Sequence, residues 1–382
     1  MSEFVTWRPP EGLRAVIAGT GSVAARLAGE LAAVAAAKPL IVCGANLAAS
    51  PLLDRVQAAL GTPAPMWSGA RPHTPLESVE AGFQAARAAG ADALIALGGG
   101  STSDGAKGIA VLLAGGAAAA RDIAPLDWSK MGQPLPETGR PAVPLFVLPT
   151  TLSAAEFQTF FGMREGQRKQ PYSEGNLVRR TIFLDGALAA ETPGAVWRET
   201  AIKLLDDMLY RYCTAAGDDA AQDAVLEQCI GTLFADLPLS LQSADPAPRQ
   251  RLLRAMWLSN VPLPAARPAG RQPWLSMVAR HAIGGATGLA HGIGSCVALV
   301  KALHFHAATS AERQAQLARR LGCSGSLADA VEWLLRDVAA PVQLGPLGVP
   351  QEAIGQILAN MAFENPELGG EERLRPVVES FW

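Results

Sequence analysis

A strand that runs directly into three glycines is the feature that most constrains the fold of this chain. The apolar run Ala93–Leu97 leads into Gly98-Gly99-Gly100-Ser101-Thr102, and Asp104 and Lys107 follow on a predicted helix, Asp104–Leu113. Glycine has no Cβ, so such a turn can be tight and its amides can point at an anion. The partial positive charge of a helix N-terminus adds to this attraction. The segment predicts a phosphate-binding strand–turn–helix or, as the alternative, an ordinary glycine-rich turn.

The first half of the chain alternates short apolar strands with amphipathic helices. This rhythm favours a parallel sheet covered by helices on both faces. The predicted strands are Ala15–Ala18, Leu40–Cys43, Ala93–Leu97, Leu145–Leu148 and Thr181–Leu184, and the helices between them are Ser22–Ala37, Pro51–Leu60 and Leu76–Ala89. We expect the Pro-rich stretch Ala124–Pro144 to be a long loop and Arg164–Gly175 to be a surface hairpin or flexible loop.

Beyond about residue 190 the strand signal fades and long helical patterns take over. The sequence therefore predicts an α/β domain over residues 1–190 and an all-helical domain over residues 191–382. A ligand cleft at the junction of two such domains is the expected arrangement.

The composition indicates which partners and which cellular compartment to expect. The 382 residues include 32 Lys+Arg and 35 Asp+Glu, for a net charge of −3. This balance predicts neither nucleic acid nor an anionic membrane as partner. The polar stretch Met1–Pro10 lacks the apolar core of a signal peptide, and we expect no membrane span. Five scattered cysteines without CxxC spacing indicate a reducing cytoplasm and no thiolate zinc site.

Two further segments follow predicted strands and are candidates for nucleotide contacts. Gly19-Thr20-Gly21 is either a phosphate turn or a plain tight turn. Thr150, Thr151 and Ser153 offer hydroxyls to a phosphate or ribose, while Ser153 with Glu156 also fits a helix capping box. The second strand ends without the acidic residue that binds the ribose 2′-hydroxyl in NAD-specific folds, so NAD and NADP stay open.

Taken together and in order, these motifs resemble the iron-containing (group III) alcohol dehydrogenase family, and His73-Thr74-Pro75 points to its maleylacetate reductase-like branch. The resemblance rests on Gly98–Ser101 with Asp104 and Lys107, on Pro149–Glu156, and on Ala290-His291-Gly292. It implies an α/β dinucleotide-binding domain plus an all-α domain, the dehydroquinate synthase-like fold. It also implies hydride transfer between NAD(H) or NADP(H) and a small carbonyl or alcohol, in a homodimer. Gly98, Gly99, Gly100, Ser101, Asp104, Thr150, Thr151 and Ser153 are the expected cofactor-binding residues.

The same resemblance identifies what has changed at the metal site. Metal-dependent members place an Asp and a His four residues apart, then His-x3-His, then a last His. In this chain those positions are held by Lys203, Asp207, Met277, His281 and His291. Methionine is a poor ligand for iron(II) or zinc, and a lysine brings positive charge where a cation should sit. We therefore expect no intact metal site.

The candidate catalytic residues are Lys203, Asp207, His281 and His291. Lys203 and Asp207 lie one helical turn apart, either as a solvated ion pair or as part of a site. His281 and His291 flank a stretch that we expect to be a flexible Gly-rich segment. The leading hypothesis is a metal-independent reductase in which Lys203 stabilises the carbonyl oxygen and a histidine supplies a proton. The alternatives are a non-redox enzyme on the same fold and a non-catalytic homologue.

Overall fold

The chain divides into two compact units. The computed structural model describes residues 5–7, 13–115, 117–126, 143–166, 168–173, 179–215, 220–261 and 273–382. Unit 1 comprises Met1–Thr192 and Asp245–Arg254, and unit 2 comprises Pro193–Ala244 and Ala255–Trp382. Nothing in the sequence pattern indicated that the short stretch 245–254 joins the α/β unit.

Unit 1 is built on a seven-stranded sheet with the order β1-β2-β9-β6-β5-β3-β4. β1 pairs antiparallel with β2, and every other neighbouring pair is parallel. Its strands are β1 (Val5–Trp7), β2 (Ala15–Ala18), β3 (Pro39–Gly44), β4 (Met66–Ala70), β5 (Ala93–Gly98), β6 (Leu145–Pro149) and β9 (Arg180–Leu184). The five predicted strands all form, and edge strands β1 and β4 were not predicted.

Alternate residues of the strands bury one face of the sheet against two helices. Ile17, Ile95 and Phe183 pack there with Leu27 and Val56. The helices of unit 1 are α1 (Ser22–Ala32), α2 (Ala45–Ala48), α3 (Pro51–Leu60), α4 (Leu76–Ala88), α5 (Gly100–Leu113) and α6 (Gly186–Ala189). α5 packs on β5 and β6, and it begins at Gly100, four residues earlier than predicted.

A separate antiparallel hairpin, β7 (Phe160–Glu165) with β8 (Arg168–Ser173), completes the strands described in unit 1. We expected Arg164–Gly175 to be either a surface hairpin or a flexible loop. The structure shows a hairpin as far as Ser173. Most of the predicted Pro-rich loop, residues 127–142, lies outside the described part of the chain.

Every element described in unit 2 is helical. Its helices are α7 (Gly194–Cys213), α8 (Ala220–Gln242), α10 (Leu275–Thr287), α11 (His291–Phe305), α12 (Ala307–Arg320), α13 (Leu327–Asp337), α14 (Ala353–Glu364) and α15 (Glu371–Glu379). α9 (Pro246–Asn260) runs from unit 1 into unit 2. α10 and α11 pack on each other, α7 packs on α11, and α14 packs on α10.

The stretch from His281 to His291 is not the flexible Gly-rich segment that we expected. It is the second half of helix α10 followed by a short turn, in which Gly288 closes the helix with φ +75°. The helix survives Gly284 and Gly285 because Val278, Ala282 and Ile283 are buried on one side of it. Burial of an apolar face outweighs the roughly 1 kcal/mol that each helical glycine costs.

Helix α8 is the one described helix that is long and apolar enough to resemble a membrane span by length and composition. One such helix does not by itself indicate a membrane span. Leu226, Ile230 and Leu233 are buried within unit 2, and Asp223 and Asp236 interrupt the apolar run. These features are typical of a core helix.

Candidate functional site

The glycine turn after β5 packs directly on the loop that follows β6. Gly98 has φ +150°, a conformation that side chains disfavour. A Cβ on Gly99 would lie 3.1 Å from the Thr151 side chain, and one on Gly100 would lie 3.0 Å from that of Ser153. The Thr150 N–H donates to the Gly98 carbonyl at 3.0 Å. The predicted glycines and hydroxyl residues are thus neighbours at one end of the sheet.

These glycines, Gly98–Gly100, and the hydroxyl residues Thr150, Thr151 and Ser153 form a cradle. The cradle fits the pyrophosphate of a dinucleotide. Helix α5 has 14 residues and no side-chain cap at its N-terminus. The Thr102 and Ser103 N–H groups donate to the Gly99 carbonyl, so the amides that can point at an anion are the first two of the helix, those of Gly100 and Ser101. The Thr151 side chain is 93% buried, and its hydroxyl has no hydrogen-bond partner. A buried hydroxyl without a partner is rare in native proteins and indicates a missing ligand or water. Amides, helix dipole and hydroxyl converge on the chemistry that a phosphate requires.

Ser101 anchors a strained turn beside the same helix. The His73 N–H donates to Ser101 Oγ at 3.1 Å, and the Thr74 hydroxyl donates to the Ser101 carbonyl at 3.2 Å. His73 and Thr74 have φ of 61° and 52°, which is unfavourable for non-glycine residues. Two consecutive strained residues persist only where their surroundings hold them, which is typical of functional loops.

Asp104 and Lys107, by contrast, contact the protein itself. Asp104 Oδ2 accepts the Gly162 N–H at 3.1 Å. Lys107 is fully buried, and its ammonium donates to the carbonyls of Ala155, Gln158 and Phe160 at 2.6–2.9 Å. Both residues therefore fix residues 155–162, the segment directly after the loop that follows β6. The glycines and hydroxyl residues form the cradle.

The sequence left two further questions open in unit 1: whether Gly19-Thr20-Gly21 is a phosphate turn, and whether Ser153 and Glu156 form a capping box. The local contacts answer both. The Asp185 carboxylate accepts the N–H groups of Gly21 at 2.8 Å and Val23 at 3.0 Å. An internal carboxylate thus already occupies the start of α1, and Gly19-Thr20-Gly21 is a plain turn. The predicted Ser153–Glu156 capping box is not formed, because Ala154 is the N-cap of the 3-10 turn Ala155–Phe157.

In unit 2, Lys203 and Asp207 form part of an ion-paired array on helices α7 and α10. Lys203 Nζ lies 2.7 Å from Asp207 Oδ2, and Arg280 donates to Asp207 Oδ1 over 2.7 Å. The Lys203 and Asp207 side chains are 22% and 29% exposed. The pair is therefore more than a solvated i,i+4 contact, because a buried arginine binds the same carboxylate.

A second carboxylate, Asp206, lies beneath this array and is buried. It accepts hydrogen bonds from the hydroxyls of Ser276 and Ser295 and from Trp274 Nε1, and Arg280 donates to it at 3.3 Å. These donors come from α10, its N-cap and α11, so Asp206 fastens both elements to α7. Hydrogen bonds from several elements to one buried carboxylate rigidify a site.

The two carboxylates differ in their electrostatics. Burial raises the pKa of Asp206, against the opposing charge of Arg280. At Asp207 burial also acts to raise the pKa, but Arg280 and Lys203 outweigh it and hold that pKa well below its usual range. Asp207 is therefore ionised at neutral pH and stays the fixed counter-ion of two cations.

The donor set does not fit iron or zinc. Both oxygens of Asp207 are engaged by cations, and Lys203 and Met277 offer an ammonium and a thioether. Within the described ranges, no group of three or more His, Cys, Asp or Glu side chains is arranged to hold a metal ion. Iron(II) and zinc need carboxylate, imidazole or thiolate ligands in such sets.

His281 and His291 do come together. Their ring centroids are 5.0 Å apart, with the rings inclined at 61°. Glu364 Oε1 lies 2.5 Å from Nδ1 of His281. His291 is the first residue of α11, and that helix approaches α10 closely because Gly294 lies against Arg280, where a Cβ would be 2.6 Å from the Arg280 Cα.

Sequence reasoning missed three charged residues of this cluster: Asp206, Arg280 and Glu364. Arg280 follows Met277 by three residues, but it could not be placed because helix α10 was not predicted. Asp206 adjoins Asp207, and nothing in the local pattern distinguishes a buried Asp from an exposed one. Glu364 is 83 residues from His281, and only the tertiary fold joins them.

The fold and the two sites define a class: a nucleotide-binding α/β unit joined to a helical unit with a polar, ion-paired cluster. Residues 14–186 match the iron-containing alcohol dehydrogenase family, and residues 200–374 match the C-terminal part of the Fe-containing alcohol dehydrogenase family. The chain belongs to the iron-containing alcohol dehydrogenase family. It is a dehydrogenase or reductase acting on CH–OH groups, as predicted.

Individual relatives agree with the branch that the motifs predicted. A maleylacetate reductase from Burkholderia cepacia is 27% identical over 354 residues, covering 92% of this chain and 89% of that protein. The crystal structure of a putative alcohol dehydrogenase from Ralstonia eutropha JMP134 aligns with a TM-score of 0.78 at 24% identity, covering 100% of this chain and 98% of that one. A sulfoacetaldehyde reductase from Bifidobacterium kashiwanohense, solved with NAD⁺, aligns with a TM-score of 0.78 at 17% identity over 99% of both chains.

Proposed function

We propose that this chain is an NAD(H)- or NADP(H)-dependent reductase of small ketones, aldehydes or enones that works without a metal ion. The observation that carries the proposal is the Lys203–Asp207–Arg280 array, which places fixed charges on the residues aligned with the family's metal ligands. The dinucleotide cradle around Gly99 and Thr151 supports the cofactor. One relative is a maleylacetate reductase, which favours a substrate that bears a carboxylate.

The reduced nicotinamide, when bound, supplies a hydride to the carbonyl carbon of the substrate. The carbonyl oxygen then gains negative charge, and the Lys203 ammonium stabilises it in the role that a Lewis acid would otherwise fill. His281 donates a proton to that oxygen, which yields the alcohol. His291, next to His281, orients the substrate. Asp207 holds Lys203 in place, and Arg280 keeps Asp207 ionised.

Turnover measured by nicotinamide absorbance tests this assignment. Purified protein is assayed with NADH and with NADPH against small 2-oxo acids, aldehydes and enones, in the presence of a chelator. We expect oxidation of one cofactor that depends on both substrate and protein. Tight binding of a dinucleotide by calorimetry with no oxidation across the panel would favour the alternative, a non-redox enzyme that keeps the nucleotide cradle. Binding of neither dinucleotide would contradict the proposal.

A further inference from the structure

A glutamate outside the predicted site contacts the proposed proton donor. Glu364 is the last residue of α14, and its Oε1 lies 2.5 Å from His281 Nδ1. A carboxylate at a helix C-terminus opposes the helix dipole and is locally unfavourable. A residue that breaks a local rule in this way is typical of a functional position.

Helix α14 is fastened to α10 at this point. One turn before Glu364, the Asn360 side-chain amide donates to the carbonyl of Ala282, the residue after His281, at 3.3 Å. Immediately after Glu364, the Asn365 side chain accepts the Glu367 N–H at 3.2 Å and ends the helix. The Asn360 contact joins α14 to α10 one turn from Glu364, and the helix ends directly after that residue.

We infer that Glu364 is a positioning residue: it accepts a hydrogen bond from the Nδ1–H of His281, so that Nε2 is the nitrogen that gives and regains the proton of the reaction. The inference rests on the proposed function. The ring of His291 packs beside that of His281, with centroids 5.0 Å apart. The carboxylates of Asp206 and Asp207 are paired with Arg280, the residue before His281. Glu364 is thus the described carboxylate that contacts the ring.

The chemistry of the step balances. The imidazolium of His281 gives its Nε2 proton to the alkoxide, and the neutral ring that remains carries its proton on Nδ1, hydrogen-bonded to Glu364. Water returns a proton to Nε2. The His281 and Glu364 side chains are 38% and 35% exposed, so solvent reaches the pair. A carboxylate that fixes tautomer and orientation is how histidine is set for proton transfer in other enzymes.

Nitrogen NMR and steady-state kinetics on Glu364 variants test the inference. At alkaline pH, ¹⁵N shifts of wild-type His281 are expected to report the Nδ1–H tautomer. Glu364→Ala should move the ring toward Nε2–H and lower kcat about tenfold or more, with little change in KM. Glu364→Gln keeps an acceptor, so it should keep the tautomer and lose less activity. Glu364→Asp should lie between wild type and Glu364→Ala.

Glu332→Ala is the matched control, because Glu332 also pairs with a cation on an exposed helix face. It should change neither the tautomer nor kcat. An unchanged His281 tautomer in Glu364→Ala overturns the inference, and so does a tautomer change that leaves kcat at the control's level. If wild-type protein reduces no carbonyl, the proposed function fails, and the NMR arm still decides whether Glu364 sets the tautomer.

Discussion

Lys203 is the residue on which the proposed metal-free chemistry depends. Its side chain is 22% exposed, and its ammonium lies 2.7 Å from an ionised Asp207, which Arg280 also binds. Lys203→Met keeps the length of the side chain and removes its charge. We expect kcat to fall about a hundredfold, as for the loss of one oxyanion donor.

Arg336→Met is the control for this substitution. Arg336 forms an exposed i,i+4 pair with Glu332, so its removal disrupts a helical ion pair of the same spacing without touching the cluster. Such exposed pairs contribute about 0.3–0.5 kcal/mol to stability. A Lys203→Met enzyme as active as Arg336→Met would contradict the proposed role.

At the scale of single residues, sequence and structure agree where chemistry is local. Lys203, Asp207, His281 and His291 could be placed because the family pattern fixes their spacing. Arg280, Asp206 and Glu364 could not, since each acts through a partner on another helix. The helical conformation of α10 brings Arg280 to Asp207. This helix was not predicted because Gly284 and Gly285 are unfavourable in a helix.

Among the elements, the turn between β5 and α5 makes the sharpest prediction. Gly99→Val adds a branched side chain whose Cβ would lie 3.1 Å from the Thr151 side chain. This side chain crowds the cradle proposed for the pyrophosphate. We expect NADH and NADPH to bind more than about tenfold more weakly, as measured by calorimetry. Gly29→Val, in open space on α1, should leave binding unchanged, and equal affinities in the two variants would contradict the assignment.

The C-terminal end of α11, where His306 contacts the first residue of α10, gives a prediction about pH. Burial lowers the pKa of His306 to about 4, and Arg373 adds to the effect. His306 Nε2 accepts the Leu275 N–H at 3.0 Å, and the ring stacks on Trp274 with centroids 4.5 Å apart. Protonation converts this acceptor into a donor, so the folded state resists it.

The unfolded chain therefore takes up this proton at a higher pH than the folded chain does. The contribution of His306 is complete above about pH 6.5 and is lost as the pH falls toward 4, up to about 3 kcal/mol in the free energy of unfolding. Denaturant unfolding at a series of pH values measures it. His306→Gln keeps an acceptor and should remove this part of the slope; the same slope in both proteins would contradict the account.

Elements with strong local signals were predicted well. β5 and β6 are continuous apolar runs buried in the sheet, and α3 has Pro51 at its start and Gly61 after its end. β4 was missed because Met66–Ala70 is a half-exposed edge strand without an apolar run. β1 is an antiparallel edge strand of three residues, too short for a periodic pattern.

At the scale of the whole molecule, we propose that the chain keeps the family's nucleotide cradle and has an ion-paired array, Lys203–Asp207–Arg280, in place of the family's metal ligands. A fixed ammonium and guanidinium need no loading, whereas a metal ion depends on supply and on deprotonated ligands. The homodimer and the cytoplasmic location stay predictions, as does the choice between NAD(H) and NADP(H).

The most direct test of the central claim joins elemental analysis to turnover on the same preparation. Protein purified without a His tag is dialysed against a chelator, analysed for iron and zinc, and assayed for carbonyl-dependent oxidation of NADH and NADPH. We predict far less than one metal ion per chain and undiminished turnover. One iron or zinc per chain, lost with activity on chelation and restored with it on readdition, would contradict the account.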